Sequence, residues 1–249
     1  MIKKRWFFLL FMFVAGSIIP AAAQWRVGVQ AGYTHNSLAT ESGYFYDRRY
    51  VGLGGFSAGI PVQYEFFDWL AVQAELSYVQ KNYGMRRSGY YKELHEDMTN
   101  HYLSVPLFAR FSFGTERIRG FLDAGVYAGG WLAARRKGVT FSQFSEKLEE
   151  SHQGIGNEVG LYAYDEKYPF DSRRDNRFEG GALLGVGLEY KLSPIVALQA
   201  ECRYNHSLSD MQKDYMIDRV PRYHNTFLFQ VGVLVTLGKN KTALKQDIK

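Results

Sequence analysis

Histidines and carboxylates near the middle of the chain are the residue types of a metal site. His95, Glu96 and Asp97 are consecutive, and His101 follows shortly after. This spacing differs from the His-Glu-x-x-His pattern, which puts two imidazoles on one helix face to bind zinc. A second acidic group lacks the Asp-x-Asp-x-Asp-Gly loop of a calcium site. Its members are Asp165, Glu166, Asp171 and Asp175. The sequence therefore predicts no metal site.

The sequence also offers no convincing catalytic arrangement. Ser104 and His206 carry the side chains of a nucleophile and a base, but nothing in the sequence brings them together, so neither is assigned a role. Gly185 and Gly187 lie inside an alternating apolar segment and not before a helix, which argues against a nucleotide-binding loop. Cys202 is the single cysteine, so an internal disulfide is excluded. We predict no catalytic residues and no cofactor.

Residues 1–23 are typical of a secretory signal peptide. A basic start at residues 3–5 precedes an apolar run over 6–19, and three alanines follow. This pattern predicts cleavage between Ala23 and Gln24. The alternative is a membrane anchor, for which the apolar run is short.

Composition and charge narrow the class of protein. The chain has 249 residues, of which 46% are hydrophobic and 16% aromatic, which argues against disorder. The mean hydropathy of −0.27 argues against a helical membrane bundle. The net charge of +5 comes from the lysines and arginine of the signal and from four lysines of the tail 238–249. Without these ends the chain is close to neutral, so no nucleic-acid partner is predicted.

Apolar and polar residues alternate with period two in eight segments. They cover residues 25–34, 56–66, 70–78, 102–113, 121–128, 181–190, 196–204 and 226–237. The connections are alternately long and short, which is the layout of an outer-membrane barrel. The sequence predicts an all-β fold, an eight-stranded antiparallel up-and-down transmembrane β-barrel over 24–237. An even number of strands puts both termini in the periplasm, with the tail 238–249 there.

The two faces of these segments differ in chemistry. The polar face carries the charges Arg26, Glu65, Glu75, Arg110, Asp123, Glu189, Glu201 and Arg203. Eight strands enclose a lumen that side chains nearly fill, so we expect a structural network of ion pairs there. The expected pairs are Arg26 with Glu65, Glu75 with Arg110, and Arg110 with Asp123. Two alternatives remain open: a narrow polar conduit, or a soluble lipocalin-like barrel with the charged face outward. The apolar face is expected to meet the bilayer, with aromatic girdles at its edges.

A long connection, about 135–176, is predicted as an extracellular loop. Long loops without strands are often functional, and aromatic side chains suit recognition of a protein or glycan partner. The candidate residues are Phe141, Phe144, Tyr162, Tyr164, Tyr168 and Phe170. A loop that simply caps the barrel mouth is the alternative. Residues 141–151 could form a short amphipathic helix.

Several short stretches resemble one protein family. Residues 102–111, Tyr-Leu-Ser-Val-Pro-Leu-Phe-Ala-Arg-Phe, and the glycine-rich stretch 124–130 resemble segments of PorT-like outer-membrane β-barrel proteins of Bacteroidetes. The Gly28-x-x-x-Gly32-Tyr33 pattern and residues 185–190 are similar as well. The resemblance implies a barrel in the outer membrane. It implies little about activity, although some members assist protein secretion.

We therefore predict a non-enzymatic outer-membrane protein that serves structure or recognition. The main alternative is an accessory component of a secretion or transport machine. A small-solute pore and a membrane-embedded lipid-modifying enzyme are further alternatives.

Overall fold

The computed structural model describes residues 24–40, 47–142, 160–213 and 220–237. The predicted signal peptide with Ala23, the predicted tail 238–249 and Phe144 lie outside these residues. The described residues form ten strands and a short 3-10 helix, Gly89–Tyr91. The strands are β1 Gln24–Thr40, β2 Arg48–Phe67, β3 Leu70–Gln80, β4 Tyr83–Arg87, β5 His95–Gly114, β6 Ile118–Ser142, β7 Gly160–Lys167, β8 Phe178–Lys191, β9 Val196–Ser207 and β10 Arg222–Leu237.

Eight of these strands close into a ring. The hydrogen-bonded order is β1, β2, β3, β5, β6, β8, β9 and β10, and every pairing is antiparallel. The last strand returns to the first, with Trp25 opposite Leu237. The prediction of an eight-stranded antiparallel barrel is confirmed, and closure removes the free strand edges.

Two short strands, β4 and β7, add to the wall beyond the ring. Strand β4 pairs with β2 and β5, and β7 pairs with β6. The prediction of a loop over the whole of 135–176 was therefore wrong, because residues 135–142 continue β6 and face β7. Alternating side chains with strand-forming Tyr, Val and Phe favour this hairpin over a loop. The suggested helix over 141–151 begins in strand β6 and otherwise lies outside the described residues.

The distribution of apolar and polar side chains between the inside and the outside of the ring is the reverse of that in a soluble protein. Along β5, Leu103, Val105 and Leu107 are exposed on the outer face, whereas Ser104 and Arg110 are buried. The same parity runs through the other ring strands, so the barrel carries a continuous outer apolar band. Only lipid makes such a surface stable, and closed barrels satisfy their backbone in lipid. Within the part of the chain that the structure describes, no helix is long and apolar enough to cross a membrane.

Aromatic side chains border the apolar band on both sides. At one edge, Trp25 and Tyr64 pack with ring centroids 4.7 Å apart, and Phe67 stacks on Trp69 at 5.8 Å. The opposite edge carries the pairs Phe56 with Tyr78 at 5.2 Å and Tyr204 with Phe227 at 4.9 Å. Such girdles mark the two membrane–water interfaces of a transmembrane barrel.

The connections differ between the two ends of the barrel. At one end, which we call the short-turn end, β2, β5 and β8 join the next ring strand through short turns. Gly114 adopts a φ of 122° at the β5–β6 turn, a conformation that glycine accepts without steric cost. Residues Gln24 and Leu237 lie at this same end. The long-connection end lies opposite and carries β4, β7 and the 3-10 helix.

A glycine in β1 allows the close approach of β10 that closes the ring. A Cβ atom on Gly32 would meet the carbonyl oxygen of Phe229 and the Cα of Gln230. Gly130 in β6 has no such neighbour within 4 Å. We therefore expect Gly32→Ala to destabilise the barrel by about 1–3 kcal/mol through overpacking.

Unfolding in urea of the protein refolded into detergent, followed by heat-dependent gel mobility, measures this difference. Gly130→Ala is the control and should unfold like the wild type. Equal midpoints for both variants would contradict the close approach of β1 and β10.

Candidate functional site: the barrel lumen and its mouth

The middle of the lumen is organised around the guanidinium of Arg110 on β5. Its nitrogens lie 2.9 and 2.8 Å from the two carboxylate oxygens of Asp123 on β6. The same group donates to Glu201 at 3.2 Å and to Gln199 at 2.8 Å, both on β9. Strands β5 and β9 are not neighbours in the ring, so these contacts cross the lumen. Arg110 is completely buried.

A second guanidinium, that of Arg203 on β9, extends the network across the barrel. It donates to Glu75 on β3 at 2.7 and 3.2 Å and to Glu201 at 2.6 and 3.2 Å. Glu201 thus bridges the two arginines. Fork-shaped pairing of this kind gives strong, directional hydrogen bonds.

The expected pair of Glu75 with Arg110 was wrong. Arg110 lies opposite Ala71 in the β3–β5 ladder, and Glu75 lies four residues further along β3. That offset amounts to about 13 Å along a strand, so Glu75 bonds to Arg203 instead. The alternating pattern indicates on which face of the sheet each side chain lies. It does not indicate by how many residues one strand is offset from the next.

A second layer of charges lies nearer the short-turn end. Arg26 on β1 donates to Glu65 on the neighbouring β2 and contacts Glu189 on β8, both at 2.9 Å. Gln63 accepts a further bond at 3.4 Å. All eight charged residues selected from the sequence therefore face the lumen. Seven of them are nearly fully buried, and Glu65 has a side-chain exposure of 21%.

Amides and hydroxyls that the sequence analysis did not select complete the middle of the lumen. Gln199 donates to Gln30 at 2.9 Å, and Gln230 donates to Ser57 at 3.2 Å. Ser77 donates to Glu75 at 2.6 Å. These side chains occupy inward positions of the alternating segments, so the period-two pattern contained the signal that could have found them. They let the charged groups be hydrogen-bonded as well as paired, which buried charge requires.

Aromatic rings seal the gaps around the charged network. The Arg110 guanidinium lies 3.7 Å from the ring centroid of Phe121, and that of Arg203 lies 4.6 Å from Phe108. Cation–π contact of this kind is favourable where water is excluded. The lumen at this level is therefore a packed core.

A third layer of charged and polar side chains lies toward the long-connection end. The sequence analysis did not predict it. Lys81 pairs with Glu179, which also accepts a hydrogen bond from Tyr127 at 2.7 Å. The ammonium of Lys81 lies 4.7 Å from the Tyr127 ring centroid. Nearby, Asn36 accepts a bond from Thr226 at 2.7 Å. The sequence analysis did not select Lys81 and Glu179, because each lies just outside the residues assigned to an alternating segment.

Aromatic side chains close the mouth above this layer. Trp131 stacks on Tyr102 at 6.0 Å and on Tyr168 at 5.6 Å, and Phe170 meets it edge-on at 4.8 Å. Tyr83 packs into the same cluster. We call this group the aromatic cap. Tyr168 and Phe170, which the sequence proposed for recognition, thus pack against the barrel mouth.

The remaining candidate recognition residues have different surroundings. Tyr162 on β7 is half exposed. Tyr164 donates its hydroxyl to Glu96 at 2.8 Å, and Phe141 meets Tyr91 with ring centroids 5.9 Å apart. The structure therefore does not bring the described members into one patch.

The connection between β7 and β8 holds the cap in place. Arg174 donates to Asp175 at 3.0 Å and to the Tyr168 hydroxyl at 2.6 Å, and Tyr168 donates to Asp175 at 3.0 Å. This connection lies beyond the apolar band. Burial raises the pKa of Asp175, but the bonds from Arg174, the Asp171 amide and Tyr168 outweigh it and hold this pKa below its usual value. Burial beside Asp175 raises the pKa of Tyr168 to about 12.

The candidate metal and catalytic groups of the sequence do not assemble. Across the described ranges, no three His, Cys, Asp or Glu side chains form a metal-ligand group. His101 contacts the hydroxyl of Tyr78, and Asp165 pairs with Arg135. Ser104 is buried in the lumen, whereas His206 is exposed and contacts Asn225.

Truncating the central guanidinium should damage the barrel wall. We expect Arg110→Ala to lower the free energy of unfolding by about 3–5 kcal/mol, since Asp123 would remain buried without its partner. Arg135→Ala is the matched control, because its ion pair with Asp165 is exposed and water screens such a pair. Urea unfolding in detergent micelles measures both. Similar values for the two variants would refute a structural role for the lumen network.

Acid should loosen the aromatic cap. The pKa of Asp175 is lowered in the folded protein, so its contribution is present above the usual Asp range and lost as the pH falls through the folded value. Trp131 fluorescence, recorded on residues 24–249 in a Trp25→Phe, Trp69→Phe background so that Trp131 is the single tryptophan, should shift to the red over that range.

Alkali gives a second transition with the opposite sign. Because the pKa of Tyr168 is raised to about 12, its stabilising contribution is present below its ordinary pKa of 10 and lost as the pH rises through about 12.

Asp175→Asn is the control for the acid transition, and Trp131 in this variant should show no acid transition. An unchanged acid transition in this variant would overturn the role assigned to Asp175.

Comparison with known proteins places this barrel in a family. Three solved structures are similar to this chain. They are the outer membrane protease OmpT from Escherichia coli (10% identity, 86% of this chain and 97% of that chain, TM-score 0.50), Neisserial surface protein A (17%, 84% and 96%, 0.40) and Ail of Yersinia pestis (17%, 84% and 97%, 0.37). No curated protein sequence matches the chain. The model of the family described as outer membrane protein beta-barrel domain matches residues 20–213. The chain belongs to this outer-membrane β-barrel family.

Proposed function

We propose that this protein is a non-enzymatic outer-membrane barrel in which the lumen is a structural plug and recognition takes place at the long-connection end. The observation that carries this proposal is the filling of the lumen. At its centre, Arg110 pairs with Glu201 and Arg203 pairs with Glu75 across the ring. Trp131 and Tyr168 stack in the cap above. Because side chains fill the lumen both at its centre and at the cap, the outer surface of the barrel is the part that can contact a partner.

The proposed orientation has the long-connection end outside the cell. Barrels of the outer membrane keep short turns on the periplasmic side and longer connections outside. Residues 1–23 would then be the signal peptide, and the ends of the barrel, Gln24 and Leu237, would face the periplasm together with the tail 238–249. Residues 24–237 form the single barrel domain of this proposal.

The wall beyond the apolar band has the properties of a recognition surface. Arg135 with Asp165 and Arg136 with Glu166 form cross-strand ion pairs at 2.5 Å between β6 and β7. Tyr90 and Tyr162 are exposed there. Tyrosine and arginine are enriched where proteins bind each other, and a paired hairpin holds them without the entropy cost of a free loop. A protein or a glycan is the proposed class of partner.

Crosslinking in intact cells tests the recognition proposal. We expect the wild-type protein to capture a discrete partner and the double variant Tyr90→Ala, Tyr162→Ala to capture at least tenfold less, because one interfacial anchor contributes about 2 kcal/mol. Glu116→Ala, at the short-turn end, is the control and should capture the wild-type amount. Capture that is unchanged in the tyrosine variant would reject recognition at this surface.

Conductance across a planar bilayer separates this function from a pore. The plugged lumen predicts no steady ion current for the wild-type protein. A steady, reproducible current would reject the plug. Loss of a set of secreted proteins on deletion of the gene, together with capture of a large periplasmic complex, would replace recognition by a role in secretion.

A further inference from the structure

Strand β7 forms an edge of the sheet above the ring. It is the last member of the hydrogen-bonded order of strands, and among the described residues it pairs with β6 alone. This pairing runs over the whole of Gly160–Lys167 in continuous register, without a bulge. No described strand lies on the other side of β7, so that side can accept a further strand.

The backbone groups on the open side of β7 follow from its bonds to β6. Tyr168, the next residue, donates its backbone N–H to the carbonyl of Ala134 at 2.9 Å, and Lys167 lies opposite Arg135. Opposed residues of an antiparallel pair are alternately hydrogen-bonded and not hydrogen-bonded. The even-numbered residues of β7 therefore direct their N–H and C=O groups to β6. The odd-numbered residues direct theirs to the open side: Leu161, Ala163, Asp165 and Lys167.

The edge of β7 lacks the features that usually prevent strand addition. Soluble edges are commonly protected by proline, by a bulge or by charged side chains. Strand β7 contains no proline, and residues 161–164, Leu-Tyr-Ala-Tyr, are uncharged. Tyr162 is half exposed, and Ala163 is exposed as well. Within the described ranges, no backbone group from outside the β6–β7 ladder bonds to residues 161–167. The edge is therefore accessible.

The spacing of these backbone groups favours a polypeptide as the ligand. On one edge of a strand the N–H and C=O groups recur at every second residue, which is about 7 Å. An extended polypeptide has the same repeat with complementary groups, and strand addition of this kind gives affinity through main-chain hydrogen bonds. A glycan has no such fixed repeat of donors and acceptors. The backbone of β7 thus distinguishes between the two proposed classes of partner.

The side chains beside the edge indicate which sequence suits it. Tyr162, Tyr164 and Glu166 share one face of the strand. Aromatic side chains pair favourably with β-branched or aromatic residues on the next strand. Glu166 contacts Arg136 through one oxygen at 2.5 Å, and its side chain remains 50% exposed. A strand added to β7 would lie on the other side of Glu166 from Arg136, where a basic residue is favourable.

We propose that β7 binds an extended segment of a partner protein by antiparallel strand addition. A basic residue of the segment lies opposite Glu166, and β-branched or aromatic residues lie opposite Tyr164 and Tyr162. The inference rests on the proposed function, recognition at the long-connection end, and specifies how the partner binds. A second copy in the same membrane has the same orientation, so its β7 would run parallel to this one, which is the less stable pairing.

A designed peptide tests strand addition directly. Its sequence is acetyl-Thr-Lys-Thr-Val-Thr-Tyr-Thr-amide, with the lysine, valine and tyrosine on one face and a fluorophore at one end. Fluorescence anisotropy measures its binding to residues 24–249 in detergent micelles. We expect Ala163→Pro to bind about tenfold more weakly, since one hydrogen bond on the open side is lost. The bonds to β6 remain, because Ala163 does not direct its N–H to that strand.

Two comparisons separate the backbone from side-chain effects. Ala163→Thr fills the same position but keeps the N–H, so the loss should be absent, and Glu116→Ala at the short-turn end is the control for the protein preparation. A peptide with N-methyl groups on its second and third threonines, which face the edge, should lose binding. Equal binding by Ala163→Pro and the wild type, or by the N-methyl peptide, would overturn the proposal. Heat-dependent gel mobility establishes that each variant is folded.

Charge reversal tests the assigned direction and register. Glu166→Lys should bind the lysine peptide more weakly and should prefer a peptide with glutamate in place of that lysine. An unchanged preference would overturn the antiparallel register. Sedimentation in micelles tests the other occupant, because a wild-type dimer that Ala163→Pro dissociates would assign the edge to a second copy and overturn a separate partner.

Crosslinking in intact cells distinguishes this inference from the proposed function. Loss of the captured partner in Ala163→Pro, with capture kept in Ala163→Thr, is the expected result. Capture that depends on Tyr90 and Tyr162 but persists in Ala163→Pro would overturn strand addition and leave recognition at this surface in place. Absence of any captured partner for the wild type would reject recognition, whereas the peptide titration tests the edge by itself.

Discussion

Buried pairing between guanidinium and carboxylate groups is the interaction on which the barrel depends. In a soluble domain, apolar side chains leave water for the core, and this transfer stabilises the fold. In this barrel the apolar side chains lie on the outer face against lipid, so the interior must be stabilised otherwise. Arg110 and Arg203 do so by linking β3, β5, β6 and β9 through Asp123, Glu75 and Glu201. Because a buried charge without its partner is very unfavourable, the same network also fixes the relative stagger of strands on opposite sides of the ring.

This constraint limits which side chains can meet a ligand. Side chains that fill and pair within the lumen are not available for a ligand, and the aromatic cap with Trp131 closes one end. The chemically available groups lie where the strands leave the bilayer and polar side chains return to the outer face. There Arg135 and Lys137 lie on β6 where it pairs regularly with β7. A rigid wall at the membrane surface can contact molecules beyond the bilayer, which is the basis of the proposed recognition.

The sequence predicted the ring but not its upper part or its exact pairings. Period-two alternation assigns each side chain to a face, which is why the eight selected charges all lie inside. It contains no information on stagger between strands, so Glu75 was assigned the wrong partner. It also fails where a segment ends: Lys81 and Glu179 continue the inward face beyond the apolar stretch, and β7 alternates tyrosines with small and charged residues. Beyond the membrane the outer face is no longer apolar, so the contrast that reveals strands disappears, although the ladder continues.

Hydrogen exchange of the arginine side chains tests the central claim most directly. Nitrogen-15 NMR of the folded protein in micelles can record exchange of the guanidinium protons of Arg110 and Arg203 with water. The paired, fully buried groups should exchange far more slowly than the exposed guanidinium of Arg135. Exchange of Arg110 and Arg203 as fast as that of Arg135 would mean that water reaches the middle of the lumen, which contradicts a barrel held together by buried ion pairs.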